Sequence, residues 1–232
     1  MRTLLIAATP AEIQPTLDRL LATATSSRES ILTLPDGSEV EVLLTGVGLL
    51  ATAFALGDHF ANPGRRPQLA IQAGIGGAVD RQLALGQVVR IVTERVTDLG
   101  AETAEEELIP HHRLGLGLPP GFTPDGIIEL PPAPPAGLTE LPACHGGSVN
   151  RVHGSAASVA RLRTGFPEVQ VESMEGAAFA YACGRAGVDG LQLRAISNYV
   201  EPRDRAGWRI GEAVAALNRV LADYFFDSRN SR

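Results

Sequence analysis

Three polar side chains in this sequence have the type and placement that acid–base or hydrogen-bonding chemistry needs. Glu12 follows the apolar run 3–8, Glu175 follows a short stretch ending at 172, and Asn198 follows the run 191–196. A carboxylate accepts hydrogen bonds and can remove a proton from water, whereas a primary amide both donates and accepts. Because open α/β sheets bind ligands where strands end, we expect Glu175 and Asn198 to be the two poles of one site. Glu12 has an alternative interpretation as a first-turn carboxylate that complements a helix dipole.

Several kinds of chemistry are disfavoured by what the sequence lacks. All 20 basic residues are Arg, which excludes a Schiff-base lysine and a Walker-type phosphate loop. Cys144 and Cys183 have neither zinc-ligand nor paired spacing, so we expect two buried, reduced thiols. His111 and His112 have no partner at metal-binding spacing, and we expect them to lie in a solvated loop. The sequence therefore predicts no metal site.

The charge and hydropathy of the chain restrict its partners and its location. The net charge is −6 and there is no run of basic residues, which argues against nucleic-acid binding. No apolar run approaches the roughly 18 residues of a membrane span, and the N-terminal run is too short for a signal sequence. We therefore expect a cytoplasmic protein that binds a small molecule.

The apolar runs and turn signals predict one α/β domain of 232 residues with a single core. Strands are predicted over 3–8, 31–34, 40–45, 69–73, 88–96, 143–149, 169–172 and 191–196, and helices from residue 9 and over 48–60, 155–165 and 208–226. The stretch 171–204 contains two strands joined by a helix, which favours a parallel βαβ unit. The Pro- and Gly-rich tract 103–142 predicts a long surface insertion or lid.

Four segments carry a resemblance to a known family: TPAE at 9–12, AGIGGA at 73–78, VESMEGAA at 171–178 and LRAISN at 193–198. Together they resemble the nucleoside phosphorylase/nucleosidase superfamily over nearly the whole chain. NRVHGSAAS at 150–158 and RAISNYVEPRD at 194–204 are further similar to its futalosine hydrolases. The resemblance implies a nucleoside phosphorylase-like fold, with a central mixed, twisted sheet flanked by helices. It also implies a purine nucleoside substrate and a homo-oligomer of two or more copies.

For the sugar and the nucleophile, the resemblance implies distinct roles. Glu175 would hold two ribose hydroxyls beside the apolar Met174, and Glu172 fits either a ribose contact or a structural ion pair. Glu12 would be the general base for a water molecule, and Arg194 would orient that carboxylate or the water. Phosphate as nucleophile would call for several converging cations. Since Arg194 is the one Arg of the motifs placed at the site, hydrolysis is favoured over phosphorolysis.

The base is expected to lie near Asn198, because an amide can donate to the acceptors N7 and O6 of a 6-oxopurine. The related methylthioadenosine/S-adenosylhomocysteine nucleosidases normally carry Asp at this position and Ser near Ile75, so this chain favours a hypoxanthine-like base. The resemblance places further residues at the substrate: Ser197, which would orient Asn198, Ile75, Gly76, and Val152 and His153, whose backbone would face the base. Arg151, Arg203 and the 103–142 tract are candidates for binding the benzoate group of futalosine.

Three alternatives to a futalosine hydrolase stay open at this point. They are a purine nucleoside phosphorylase, a methylthioadenosine/S-adenosylhomocysteine nucleosidase and a non-catalytic nucleoside sensor on the same fold. The presence of Glu12 disfavours the sensor, since loss of this carboxylate would be its mark. Water, carboxylates and amides suffice for glycosidic cleavage, so no metal and no organic cofactor is expected.

Overall fold

A computed structural model describes residues 1–28, 30–130, 135 and 137–226. The part of the predicted insertion at 131–134 and 136 lies outside the described residues. The strands are β1 (Arg2–Ala7), β2 (Ser26–Arg28), β3 (Ile31–Thr33), β4 (Glu39–Leu44), β5 (Leu69–Ala78), β6 (Val88–Val96), β7 (Gly100–Glu102), β8 (Leu108–Pro110), β9 (Ile127–Glu129), β10 (Ala143–Ser148), β11 (Val171–Ser173) and β12 (Asp189–Tyr199). The α-helices are α1 (Pro10–Thr23), α2 (Leu49–Ala61), α3 (Ala156–Gly165), α4 (Gly176–Ala186) and α5 (Ile210–Phe226).

The strands other than β7 and β8 form one mixed sheet in the order β11-β10-β6-β12-β5-β1-β4-β3-β2, with β9 beside β6. β5 runs parallel to β1 and β12, whereas β6 runs antiparallel to β12. β11 pairs with both β10 and the end of β5, so β11, β10, β6, β12 and β5 close into a ring. The predicted α/β class with a central mixed sheet is confirmed.

The stretch 171–204 does not form the predicted parallel βαβ unit. β11 pairs antiparallel with β5, and β12 pairs parallel with β5, so the two strands run in opposite directions. The prediction was wrong because β11 completes the ring of strands, and that partner is invisible in the local spacing. The two polar clusters still approach each other, since Glu172 and Asn198 both pair with Gly77 of β5.

Helices cover both faces of the sheet. Successive side chains of β1 contribute to the two core layers in turn. Leu4 lies in the cluster that includes Leu56 of α2 and Phe179 of α4. The next residue, Leu5, lies in the cluster that includes Leu217 of α5. Successive strand side chains point to opposite faces, so one continuous apolar run supplies both layers.

The 103–142 tract is more than a surface lid where the structure describes it. β9 pairs with β6, and Ile128 and Leu130 are buried in the main core. The expectation of a solvated loop at the two adjacent histidines is also wrong in part. The rings of His111 and His112 are half-buried, Phe122 packs against His111 with ring centroids 5.5 Å apart, and burial lowers the pKa of both imidazoles.

Within the described ranges, no helix combines the length and apolar character that crossing a bilayer requires.

Candidate active site

Glu12 is the third residue of α1, and the start of this helix fixes its carboxylate. Thr9 is the N-cap residue and Pro10 occupies the first helical position, which its fixed φ suits. Glu12 Oε2 accepts a hydrogen bond from the Thr9 backbone N–H at 3.1 Å, and Oε1 accepts one from the Ile75 N–H at 3.1 Å. Glu12 therefore helps to cap the start of its own helix and also binds the backbone of β5.

Glu175 is the N-cap residue of α4, but its side chain does not cap that helix. Its Oε1 accepts from the backbone N–H of Gly48 at 3.1 Å, and its Oε2 lies 3.4 Å from Arg194 Nη1. Gly48 has a φ of 99°, a conformation that glycine adopts without steric cost. The Gly-Val-Gly segment before α2 thus allows a close backbone approach to Glu175.

Arg194 lies on β12 and is only 1% exposed. Its Nη2 donates to Gln72 Oε1 at 2.9 Å, while Nη1 lies 3.4 Å from both the Ile75 carbonyl oxygen and Glu175 Oε2. Both terminal nitrogens therefore have protein acceptors, and the guanidinium charge is matched by Glu175.

Gly74 explains how Arg194 and Glu12 can both reach across β5. A Cβ atom built on Gly74 would lie 2.5 Å from Arg194 Nη1 and 2.9 Å from Glu12 Oε1, closer than non-bonded atoms approach. At Gly76 a Cβ would lie 2.9 Å from Val171 Cγ1, so that glycine lets β11 pack on β5. The glycines of this segment thus permit the close approach of neighbouring side chains and of β11 to β5.

Asn198 follows a register shift in β12, between its pairings of Ile196 and Asn198 with β5. Its Nδ2 donates to the Tyr199 carbonyl oxygen at 3.0 Å, and Ser197 Oγ lies 2.8 Å from its Oδ1. A backbone carbonyl only accepts, so the NH2 group must face Tyr199 and the amide oxygen must face Ser197. Among the described residues, the second N–H of the amide has no acceptor, which leaves it for a ligand. Ser197 Oγ also lies 3.2 Å from the Gly76 carbonyl oxygen.

The loop that carries Val152 and His153 is held by Glu172. The His153 N–H donates to Glu172 Oε1 at 3.2 Å, and His153 Nδ1 contacts Oε2. Both carboxylate oxygens of Glu172 therefore contact His153. Val152 is 36% exposed, and this loop lines a groove of about 1010 Å³ together with Arg151.

The remaining predicted residues lie beside these groups. Met174 is half-buried next to Glu175, and Ile75 is half-buried against the core under α5. Hydrogen bonds join Glu12, Ile75, Arg194 and Glu175 into one cluster, and Gly76 connects this cluster to Ser197 and Asn198. The loop of Val152 and His153 is connected to this cluster through Glu172, which lies in β11 opposite Gly77 of β5. Arg203 stacks over Trp208 with its guanidinium carbon 5.1 Å from the ring centroid.

Sequence reasoning missed a buried carboxylate beneath the site, Glu94 of β6. It is 1% exposed; its Oε1 accepts from Gln192 Nε2 at 2.6 Å, and its Oε2 accepts from Ser148 Oγ at 2.9 Å. Burial raises the pKa of Glu94 to about 7, although these hydrogen bonds and the charge of Arg194 act in the opposite direction. An acidic residue inside the predicted strand 88–96 was the available signal.

Asn218 of α5 was also missed, although it interrupts an apolar helix face. Its Nδ2 donates to the Glu12 carbonyl oxygen at 2.8 Å, and its Oδ1 accepts from Thr16 Oγ1 at 2.6 Å. These buried bonds dock α1 on α5 and so fix the helix that presents Glu12.

The two thiols are buried, as predicted, and burial raises the pKa of Cys144 to about 11. In the part of the chain that the structure describes, no group of three or more His, Cys, Asp and Glu side chains could hold a metal ion.

The chemical capacity of the cluster follows from its groups. Glu175 has two oxygens whose free lone pairs can accept from hydroxyl groups, and Glu12 can accept a proton from water. Asn198 can donate to an electron-rich leaving group. Paired carboxylates also favour a transition state with positive charge on the group between them.

Comparisons with known proteins agree with one another. A family model described as the phosphorylase superfamily matches residues 2–225. A futalosine hydrolase from Streptomyces coelicolor is 41% identical over 195 residues, covering 81% of this chain and 78% of that protein. One from Thermus thermophilus is 35% identical over 194 residues, covering 80% of each chain. Among solved structures, a futalosine hydrolase of Helicobacter pylori has a TM-score of 0.72 at 16% identity, covering 97% of this chain and 98% of that one. The methylthioadenosine/S-adenosylhomocysteine nucleosidase of Neisseria meningitidis has a TM-score of 0.73 at 18% identity, covering 96% and 97%.

Proposed function

This chain belongs to the phosphorylase superfamily and, within it, to the futalosine hydrolases, and we propose that it hydrolyses futalosine at the cluster around Glu12, Glu175 and Asn198. The products would be hypoxanthine and dehypoxanthine futalosine, in menaquinone biosynthesis. The observation that carries the site assignment is that Arg194 and Ile75 connect both predicted carboxylates at one end of β5.

The sugar would bind at Glu175. Gly48 and Arg194 each occupy one direction on its two oxygens, and the remaining lone pairs are free for the two vicinal ribose hydroxyls. Cleavage of the glycosidic bond makes the ribosyl centre cationic, so a carboxylate beside it stabilises the transition state more than the ground state. Met174 would lie along the apolar face of the sugar.

The water would be activated by Glu12. Backbone N–H groups of Thr9 and Ile75 hold its carboxylate in a fixed orientation, which suits a group that must meet a water at hydrogen-bond distance. Arg194 lies beside the same part of β5, and it fixes the position of Glu175 by binding both the Glu175 carboxylate and the Ile75 carbonyl oxygen.

The base would be held by Asn198. Tyr199 and Ser197 fix the amide so that its NH2 group keeps one N–H for the base. N7 and O6 of hypoxanthine are neighbouring acceptors, and negative charge flows onto the purine as the bond breaks, so this N–H binds most strongly in the transition state. Because the amide oxygen already accepts from Ser197, it is not directed at a 6-amino group, and Asn198 therefore favours a 6-oxopurine over a 6-aminopurine.

The charge and contacts of Arg194 favour water over phosphate as the nucleophile. A phosphate dianion would need several cations with free donors. Arg194 is one cation rather than several, and its charge is already matched by the Glu175 carboxylate.

A homo-oligomer would be formed through the start of α2. Leu50 and Phe54 of this helix are 86% and 77% exposed, and the preceding Val47 is 56% exposed. Such a run of exposed apolar side chains is typical of an interface. It lies next to Gly48, whose N–H binds Glu175, so a second copy at this face would border the sugar site.

The assignment is tested by an assay of purine release with three nucleosides: futalosine, inosine and methylthioadenosine. We expect hypoxanthine from futalosine, with kcat/KM well above that for the other two. Preferential cleavage of methylthioadenosine would instead support an adenine-nucleoside hydrolase, and no cleavage of futalosine would refute the proposal.

A further inference from the structure

Helix α4 begins directly after Glu175, yet Glu175 leaves the helix without its usual cap. The first N–H groups of a helix have no partner within it, and an N-cap side chain normally accepts from the second or third of them. The carboxylate of Glu175 accepts instead from Gly48 and contacts Arg194. The N–H of Ala177, the second residue of α4, therefore needs an acceptor from elsewhere.

Ser148, at the end of β10, provides that acceptor. The Ala177 N–H donates to Ser148 Oγ at 2.8 Å, and Ser148 is fully buried. A serine hydroxyl has a single hydrogen, and Ser148 donates it to Glu94 Oε2 at 2.9 Å. Glu94 thereby fixes the rotation of the hydroxyl, which keeps an oxygen lone pair directed at Ala177.

Glu94 packs directly under the first turn of α4. A Cβ atom on Gly176 would lie 1.8 Å from Glu94 Oε1 and 2.3 Å from Gln192 Nε2, so only glycine fits at this first helical position. The carboxylate thus lies near the positive end of the helix dipole, which offsets part of the cost of burying its charge. Hydrogen bonds from Gln192 and Ser148 use both of its oxygens.

We infer that Ser148 and Glu94 are positioning residues, which cap α4 from the sheet and so free the Glu175 carboxylate to bind the sugar. The inference rests on the proposed role of Glu175. Without the Ser148 hydroxyl, the N–H of Ala177, which is 2% exposed, would be buried without an acceptor. The first turn would then shift or fray, and Glu175 would move relative to Arg194.

A double-mutant cycle separates this role from simple support of the fold. Ser148→Ala should lower kcat/KM for futalosine roughly tenfold, the usual scale for loss of a helix cap. In a Glu175→Gln background, itself strongly impaired, Ser148→Ala should lower kcat/KM by less than about twofold, because residues that act through one group are not additive. Thr97→Val is the matched control, since Thr97 Oγ1 has no hydrogen-bond partner in the described ranges and its N–H donates to the Ser148 carbonyl. This variant should leave kcat/KM unchanged.

The results distinguish failure of the proposed sugar site from failure of the positioning role of Ser148 and Glu94. If Glu175→Gln keeps wild-type kcat/KM, the proposed site and this inference both fail. If Glu175→Gln is impaired but Ser148→Ala is not, or if Ser148→Ala costs the same factor in both backgrounds, only the positioning role is refuted. Should Ser148→Ala fail to fold, Glu94→Gln takes its place in the same cycle. It keeps an oxygen acceptor for Ser148, and its smaller loss should likewise disappear in the Glu175→Gln background.

Discussion

Replacing Gly74 with alanine tests whether the close approach of Arg194 and Glu12 to the Gly74 backbone matters for catalysis. The added Cβ would lie 2.5 Å from Arg194 Nη1 and 2.9 Å from Glu12 Oε1. The guanidinium cannot swing away freely, because Gln72, Ile75 and Glu175 hold it and Arg194 is 1% exposed. Alanine at this position therefore forces the two functional side chains or the strand itself to move.

The size of that movement sets the expected loss. An ordinary contact begins at 3.4 Å, so Arg194 Nη1 must retreat by about 0.9 Å from the new methyl group. A misplacement of about 1 Å at a reacting centre can cost roughly a hundredfold in rate. Overpacking adds a stability cost of about 1–3 kcal/mol. We expect kcat/KM for futalosine to fall about a hundredfold in a protein that still folds.

The assay is steady-state hydrolysis of futalosine combined with thermal unfolding. Gly184→Ala is the control, because Gly184 lies on the exposed side of α4 and a Cβ there would meet nothing within 4 Å. This control should keep its kcat/KM and gain slightly in stability, since alanine favours a helix. A Gly74→Ala variant that retains kcat/KM within about threefold would refute the reasoning, because the close approach of Arg194 and Glu12 to the backbone of Gly74 would then be dispensable.

Asn198, Glu94 and Phe54 give three further predictions. Asn198→Asp should lower kcat/KM for futalosine more than about tenfold and shift preference toward a 6-amino analogue. The reason is that a carboxylate opposite the Tyr199 carbonyl cannot donate a hydrogen bond unless it is protonated. Equal preference of wild type and variant in a competition assay would contradict this prediction. Glu94 has a pKa of about 7 when folded against 4.5 in the unfolded chain, so its burial costs nothing below pH 4.5 and about 3 kcal/mol above pH 7. Urea unfolding from pH 4.5 to 8 should therefore show the wild type losing about that much stability relative to Glu94→Gln, whereas parallel curves would disprove the burial cost. Phe54→Glu should convert the proposed oligomer to monomers in light scattering, with Leu116→Glu, a similarly exposed site outside α2, as the control. An unchanged mass would exclude this face.

Several residues of the candidate site could be placed on their helices and strands from the sequence, because the features that place them are local. Glu12 is placed by a Thr-Pro helix start, and Asn198 by the end of an apolar strand, both features that nearby residues determine. The helix predicted between the two strands of 171–204 is also present, as α4. These predictions needed no knowledge of which strands pair.

What could not be predicted depends on partners distant in the chain. The direction of β11 follows from its pairing with β10 and β5, and a three-residue strand carries no pattern that reveals those partners. The fixed amide of Asn198 depends on the register shift at Ser197, and Glu94 depends on Ser148 and Gln192 from two other strands. Hydrogen-bond networks between distant strands leave only a polar residue in an apolar run as their sequence signal.

The most direct test of the account compares hypoxanthine release from futalosine by the wild type and by Glu12→Gln in phosphate-free buffer. Wild-type protein should release hypoxanthine at a rate that added phosphate does not change, and no sugar phosphate should form. Loss of a general base costs roughly 10²–10⁴-fold, so Glu12→Gln should be slower by at least about a hundredfold. Release that requires phosphate would contradict hydrolysis, and a Glu12→Gln variant as fast as the wild type would contradict the assignment of the base.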